Sequence, residues 1–134
     1  MLIVKPVTDK DEQRRLCGVF GAGYEDHLMA FLAVEGEPGE EKSGKLLGLC
    51  QISLSDGENE IKTLVRAPGT DDTEAMIIMA RAAMNFMYRC EVREVRISPS
   101  TDPALIRELG FRQRDGEYVI DLDEFYRSPC SYNK

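Results

Sequence analysis

The chain has 134 residues, 43% of them hydrophobic and 31% charged, with a formal net charge of −7 and a pI near 4.8. This length buries a core without covalent staples, and the composition is that of a globular domain rather than a disordered one. The acidic balance, with no basic run or stripe, argues against nucleic acid and against an anionic membrane surface as partners.

The opening run Met1-Leu2-Ile3-Val4-Lys5-Pro6 is too short for a signal peptide or a spanning helix, which predicts a cytoplasmic protein. Cys17, Cys50, Cys90 and Cys130 form no C-x-x-C pair, and one histidine leaves a zinc site without closely spaced ligands. Four free thiols are expected, mostly buried, with Cys130 the exposed exception. No repeat, low-complexity tract or linker divides the sequence, so one domain over residues 1–134 is expected.

In chain order, Leu2-Ile3-Val4 begins a strand that Pro6 and Thr8 close. Thr8-Asp9-Lys10-Asp11 fits the S/T-x-x-D/E entry to a helix, and Leu16, Val19 and Phe20 recur at helical spacing up to the stop at Gly21-Ala22-Gly23. The apolar run Met29 to Val34 reads as a central strand, and Glu35 to Gly44 as an exposed hairpin loop. A strand from Leu46 to Ser55 places Leu46, Gly48, Cys50, Ile52 and Leu54 on one face by alternation. After a turn at Asp56-Gly57, Glu60 to Arg66 forms the next strand, with Ile61, Thr63 and Val65 on one side.

Asp71 to Arg89 is a long helix, apolar on more than one face and dense in Ala, Met and Ile, so it packs against the sheet. Its Met76, Met79, Met84 and Met87 read as adaptable core filling. Val92 to Ser98 is the strand after it, parallel to the one before, and the long helix crosses between the two. Asp102-Pro103 opens a short helix that Gly110 closes. A last hairpin pairs Phe111–Arg114 with Glu117–Leu122 around Asp115-Gly116.

This order of elements, with Ala104-Leu105-Ile106-Arg107-Glu108-Leu109-Gly110-Phe111 followed by Asp115 to Leu122, resembles the GNAT superfamily of acyl-CoA-dependent N-acyltransferases over residues 1 to 125. The resemblance implies an α/β fold with a mixed, mostly antiparallel sheet and acetyl-CoA as the acyl donor. It also implies two parallel strands splayed around Val65 and Val95, so that pantetheine pairs with exposed backbone between them. On that basis Leu64, Val65, Arg66, Thr73 and Ala75 are the candidate cofactor-binding residues.

In the family, a loop with R/Q-x-x-G-x-G/A holds the pyrophosphate on backbone N–H groups at the long helix's N-terminus. The segment that aligns here is Asp71-Asp72-Thr73-Glu74-Ala75-Met76, which lacks the arginine and both small positions. A second register, Arg66 to Asp71, keeps the first arginine and first glycine and puts Pro68 where a donor would serve. Asp71, Asp72 and Glu74 read as first-turn carboxylates, with Asp71-x-x-Glu74 or Thr70-x-x-Thr73 as caps.

The family's general-acid tyrosine falls on Ile106, and an asparagine common before that helix falls on Pro99 or its neighbours. Glu60 is the nearest candidate for a general base and Glu58 the next, although both also read as solvated strand-edge charges. Lys62 and Arg66 alternate with the apolar face of the same strand. His27 has no evident partner, and nothing in the spacing singles out Tyr118 or Tyr126.

Two readings stay open. One is an acyl-CoA-dependent N-acyltransferase acting on an amine. The other is a non-catalytic domain of the same fold that has lost coenzyme A and serves as a binding or protein-interaction module. A small-molecule amine or an acyl-CoA is the implied partner, and the sequence leaves a homodimer open.

Overall fold

Seven segments with strand-like patterning pair into one sheet in the computed structural model, which describes residues 1–37, 39 and 44–127. The elements are β1 (Leu2–Val7), α1 (Lys10–Phe20), β2 (Met29–Glu35), β3 (Lys45–Ser53), β4 (Glu60–Arg66) and α2 (Thr73–Arg89). They continue as β5 (Glu94–Ile97), α3 (Pro103–Leu109), β6 (Arg112–Arg114), β7 (Glu117–Asp121) and α4 (Leu122–Arg127). The strand order is β1-β2-β3-β4-β5-β7-β6, and β4 with β5 is the parallel pair among antiparallel neighbours. The expected mixed α/β sheet with the long helix between its parallel strands is therefore present.

Two cores form, one on each face. The larger is built on α2, whose Ala75, Met76, Met79, Ala80, Ala83, Met84 and Met87 make a single stripe at spacings of three and four. The helix is thus apolar along one broad face, and Ile78 stands 42% exposed on the other. The smaller core packs Leu16, Cys17 and Phe20 of α1 on Leu32, Val34 and Leu49. Burying each such large side chain stabilises the fold by roughly 1.5–3 kcal/mol.

Several details depart from the sequence reading. Pro6 lies inside β1, which it tolerates because β1 is an edge strand with one paired side. Asp9, not Thr8, caps α1, its carboxylate accepting from the N–H groups of Asp11 and Glu12. β3 ends at Ser53 and skips a residue at Leu47, so Leu46 joins the α1-side core while Leu47 and Cys50 face α2. Gly48 remains on the α2 side, where an added Cβ would come within 2.5 Å of Met76 Sδ. Leu122 begins α4 instead of ending the last strand, and Cys90 is exposed at the end of α2. Cys130 and part of the 35–44 loop lie outside the described residues.

The closing elements match their chemistry. Gly110 ends α3 in the left-handed region at φ 97°, and Phe111 turns into the core. Asp115 and Gly116, both at positive φ, make the tight turn between β6 and β7.

Candidate functional site

β4 and β5 pair only at their adjoining ends, Glu60 with Arg96 and Ile61 with Ile97. Two backbone bonds flank these pairs, from Arg96 N–H to the Asn59 carbonyl at 2.9 Å and from Ser98 N–H to the Ile61 carbonyl at 3.0 Å, and the second closes the ladder on the side of the opening. Beyond it, among the described residues, β4 runs on to Arg66 with its β5-side edge unpaired. The opening therefore lies along Lys62 to Val65 on β4 and the turn after β5. Val95 stands on the paired side of it, facing Ile120 of β7, and is not part of the splay.

An irregularity in β4 coincides with the start of this opening. Gln51 faces Thr63 while Ile52 faces Ile61, which leaves Lys62 as an extra residue in the ladder. Leu64 then turns into the α2-side core and Val65 against the α1-side core. What Thr63 to Val65 present to the gap is main chain.

A buried polar network lies under that segment. Gln51 Nε2 donates to Thr63 Oγ1 at 3.0 Å and to the Gly23 carbonyl at 2.9 Å, and its Oε1 accepts from Gln13 Nε2 at 2.9 Å. Gln13 Nε2 also donates to the Leu28 carbonyl, and Lys10 Nζ reaches both that carbonyl and Gln13 Oε1. These contacts fix the Gly21–Leu28 connection against β3 and β4. Neither glutamine is among the sequence candidates, although a lone amide inside the apolar run of β3 is a visible signal.

The far end of the opening is bridged by side chains. Arg66 Nη1 donates to Asp102 Oδ2 at 3.1 Å and Nη2 to Thr73 Oγ1 at 3.2 Å, with Asp71 Oδ1 3.6 Å from Nε. Asp102 divides its two oxygens, since Oδ1 accepts from Ala104 N–H at 2.9 Å and so caps α3. Its carboxyl is held below the usual carboxylate range, first by that backbone donor and next by the Arg66 guanidinium, with partial desolvation opposing.

Between β4 and α2 the chain makes one tight turn. Thr70 N–H bonds the Ala67 carbonyl at 3.1 Å, and Pro68 then Gly69 at φ 79° occupy its centre. The Thr70 hydroxyl bonds the Leu47 and Ala67 carbonyls and takes no part in capping. The helix N-terminus falls on Asp72 to Met76, so the expected Asp71-x-x-Glu74 and Thr70-x-x-Thr73 caps do not form. Asp72 is the cap, its Oδ1 accepting from Ala75 N–H at 2.9 Å. Asp71 precedes the helix, almost fully exposed, and Glu74 sits in the first turn.

The sequence candidates are thus only partly brought together. Arg66 and Thr73 touch, Leu64 and Val65 lead up to them, and the N–H of Ala75 is already taken. Glu60 lies at the paired end of β4, 3.6 Å from Lys62 Nζ and opposite Arg96, away from Arg66 at the other end of the strand. Glu58 and His27 are exposed, Ile106 is buried core, and Tyr118 is half-buried. Tyr126 stacks on Tyr88 at 4.6 Å, where burial raises its hydroxyl pKa.

This helix start does not fit a pyrophosphate. A carboxylate occupies a donor that a phosphate oxygen would use, two more acids flank it, and the nearby arginine is committed to acids of its own. Two cavities, of about 520 and 310 Å³, lie elsewhere, around Pro6, Val7 and Thr8. Among the described residues no group of three or more His, Cys, Asp or Glu is placed to hold a metal ion, and no helix is long and apolar enough to cross a membrane.

No protein-family model matches the sequence, and no curated protein matches it either. Solved structures do match the fold. An IAA acetyltransferase from Bacillus cereus superposes with a TM-score of 0.67 at 12% identity, covering 90% of this chain and 99% of that one. An N-acetyltransferase from Staphylococcus aureus gives 0.63 at 13% identity, covering 92% and 99%. A GNAT family acetyltransferase from Elizabethkingia anophelis, solved with acetyl-CoA bound, gives 0.60 at 13% identity, covering 90% and 97%. The chain therefore has the GNAT acetyltransferase fold, and identities this low speak to the fold alone.

Proposed function

We propose that this chain is a GNAT-fold domain whose acyl-coenzyme A site is held shut by its own side chains, and that it serves as a non-catalytic binding or protein-interaction module. The observation that carries this reading is the Asp72 carboxylate on the N–H of Ala75. A helix N-terminus binds phosphate through free N–H groups and its positive end, and here an internal anion has taken that role. One domain over residues 1–134, a cytoplasmic location, and no nucleic-acid or membrane partner accompany this proposal. The net charge of −7 supports the exclusion of polyanions and leaves a cationic amine as an acceptable partner.

A second reading, an acyl-CoA-dependent N-acyltransferase with an amine acceptor, has one observation in its favour. The edge of β4 from Lys62 to Val65 is open, so the main chain at Leu64 and Val65 retains room for an extended ligand. In that reading Glu60 is the base, and Arg66, Thr73 and Ala75 hold the cofactor.

Neutralising the helix start separates the two. The variant carrying Asp71→Asn, Asp72→Ala and Glu74→Gln, which frees the Ala75 N–H as well as removing the charges, should gain affinity for coenzyme A at low salt, and the gain should shrink as salt is added. An unchanged affinity would show that these carboxylates are not what keeps the cofactor out.

A further inference from the structure

Coenzyme A would meet two different obstacles in this fold: acids stand at the start of α2, where its phosphates would need donors, and Arg66 crosses the mouth of the β4 opening, where its pantetheine arm would enter. The second obstacle has a geometry of its own. The backbone ladder stops, the edge stays open from Lys62 to Val65, and beyond the turn that follows β5 the Arg66–Asp102 side-chain pair spans the far end.

We propose that the Arg66–Asp102 pair is a latch, a side-chain tie across the mouth of a retained slot. Releasing Asp102 admits an uncharged, amide-bearing chain such as pantetheine. The inference rests on the reading of a closed GNAT-fold site and deepens it by naming the residues that close the slot.

Three features favour a latch over a filled-in slot. The side chains of Leu64 and Val65 leave to opposite cores, so the slot wall is main chain able to pair with the amides of a ligand. The Arg66 guanidinium is incompletely satisfied, because its Nε is a buried atom with no hydrogen-bond partner and has only Asp71 at 3.6 Å. Asp102 holds Arg66 through Oδ2 and caps α3 through Oδ1, so the tie can be broken without uncapping the helix. Asparagine caps about as well as aspartate, which makes Asp102→Asn a specific way to weaken the tie.

The test is a titration of pantetheine and, separately, coenzyme A into the wild-type chain, Asp102→Asn and Arg66→Gln, read on the backbone amide resonances of Lys62 to Val65. Asp102→Asn should bind both ligands more tightly, by about tenfold, the scale of one charge-assisted contact. Arg66→Gln should gain for pantetheine but not for coenzyme A, because it opens the slot and removes the cation that reaches Thr73 at the helix start. Should Asp102→Asn fail to fold, Arg66→Gln still reports on the slot through pantetheine. Wild-type affinity for pantetheine in the folded variants would overturn the latch and leave the closed-site reading intact. Tight coenzyme A binding by the wild-type chain would overturn that reading itself.

Discussion

Arg66 and Asp102 face each other across the far end of the β4 opening, Nη1 3.1 Å from Oδ2, and so tie the end of a strand to the cap of a helix. Because the Asp102 carboxyl is held below its usual range, the folded state binds its proton less readily than the unfolded chain. Its contribution to stability is therefore complete above the unfolded value of about 4 and is lost as pH falls through the lower folded value. Urea unfolding from pH 6 to pH 2 should show a steeper acid loss for the wild type than for Asp102→Asn. Parallel acid limbs would mean that the pair contributes nothing to folding.

The start of α2 gives a second expectation. Asp72→Ala should destabilise the protein by about 0.5–2 kcal/mol, whereas Asp72→Asn, which can still accept the Ala75 N–H, should cost less. Denaturant midpoints of the two variants decide this. Equal losses would assign the effect to charge rather than to capping.

How much of this was readable in the sequence differs by kind of contact. The core stripe of α2 and the edges of β4 follow from local periodicity and were legible, as was the Gly110 stop. The skipped residue at Leu47 and the extra one at Lys62 were not, because a bulge is decided by the pairing strand and reverses the face of what lies beyond it. The Arg66–Asp102 tie was equally hidden. Asp102 reads as an ordinary cap until the fold brings Arg66, at the end of β4, against its second oxygen. Asp72 differs again: three acids at a helix start were plain, but only the backbone shows which of them is the cap.

The glutamine network predicts a larger loss. Gln51→Leu would leave Gln13 Nε2, the Gly23 carbonyl and Thr63 without their buried partner, at a cost of roughly 2–4 kcal/mol. Equilibrium unfolding should show it, together with faster amide exchange in the Gly21–Leu28 connection. A loss within experimental error would mean that water replaces the amide without difficulty.

The thiols should differ in reactivity. Cys90 is exposed and should label at once in the native protein, while Cys17 and Cys50 should label only on unfolding. Burial pushes the Cys50 thiol up to about 12, so the folded state keeps that proton where the unfolded chain, titrating at about 8.5, releases it. Stability tied to Cys50 is then full below the unfolded value and declines as pH rises toward the folded one. Replacing Cys50 with alanine should flatten the alkaline decline. Native labelling of Cys50 at the rate of Cys90 would contradict its burial.

The closed site is tested most directly by calorimetric titration of acetyl-CoA into the unmodified protein at low salt. With Asp72 on the Ala75 N–H and Arg66 held by Asp102, the expected result is no saturable heat, or saturation only at millimolar ligand. A single-site isotherm with a dissociation constant on the order of 10 µM or tighter would contradict the account and put the acyltransferase reading first.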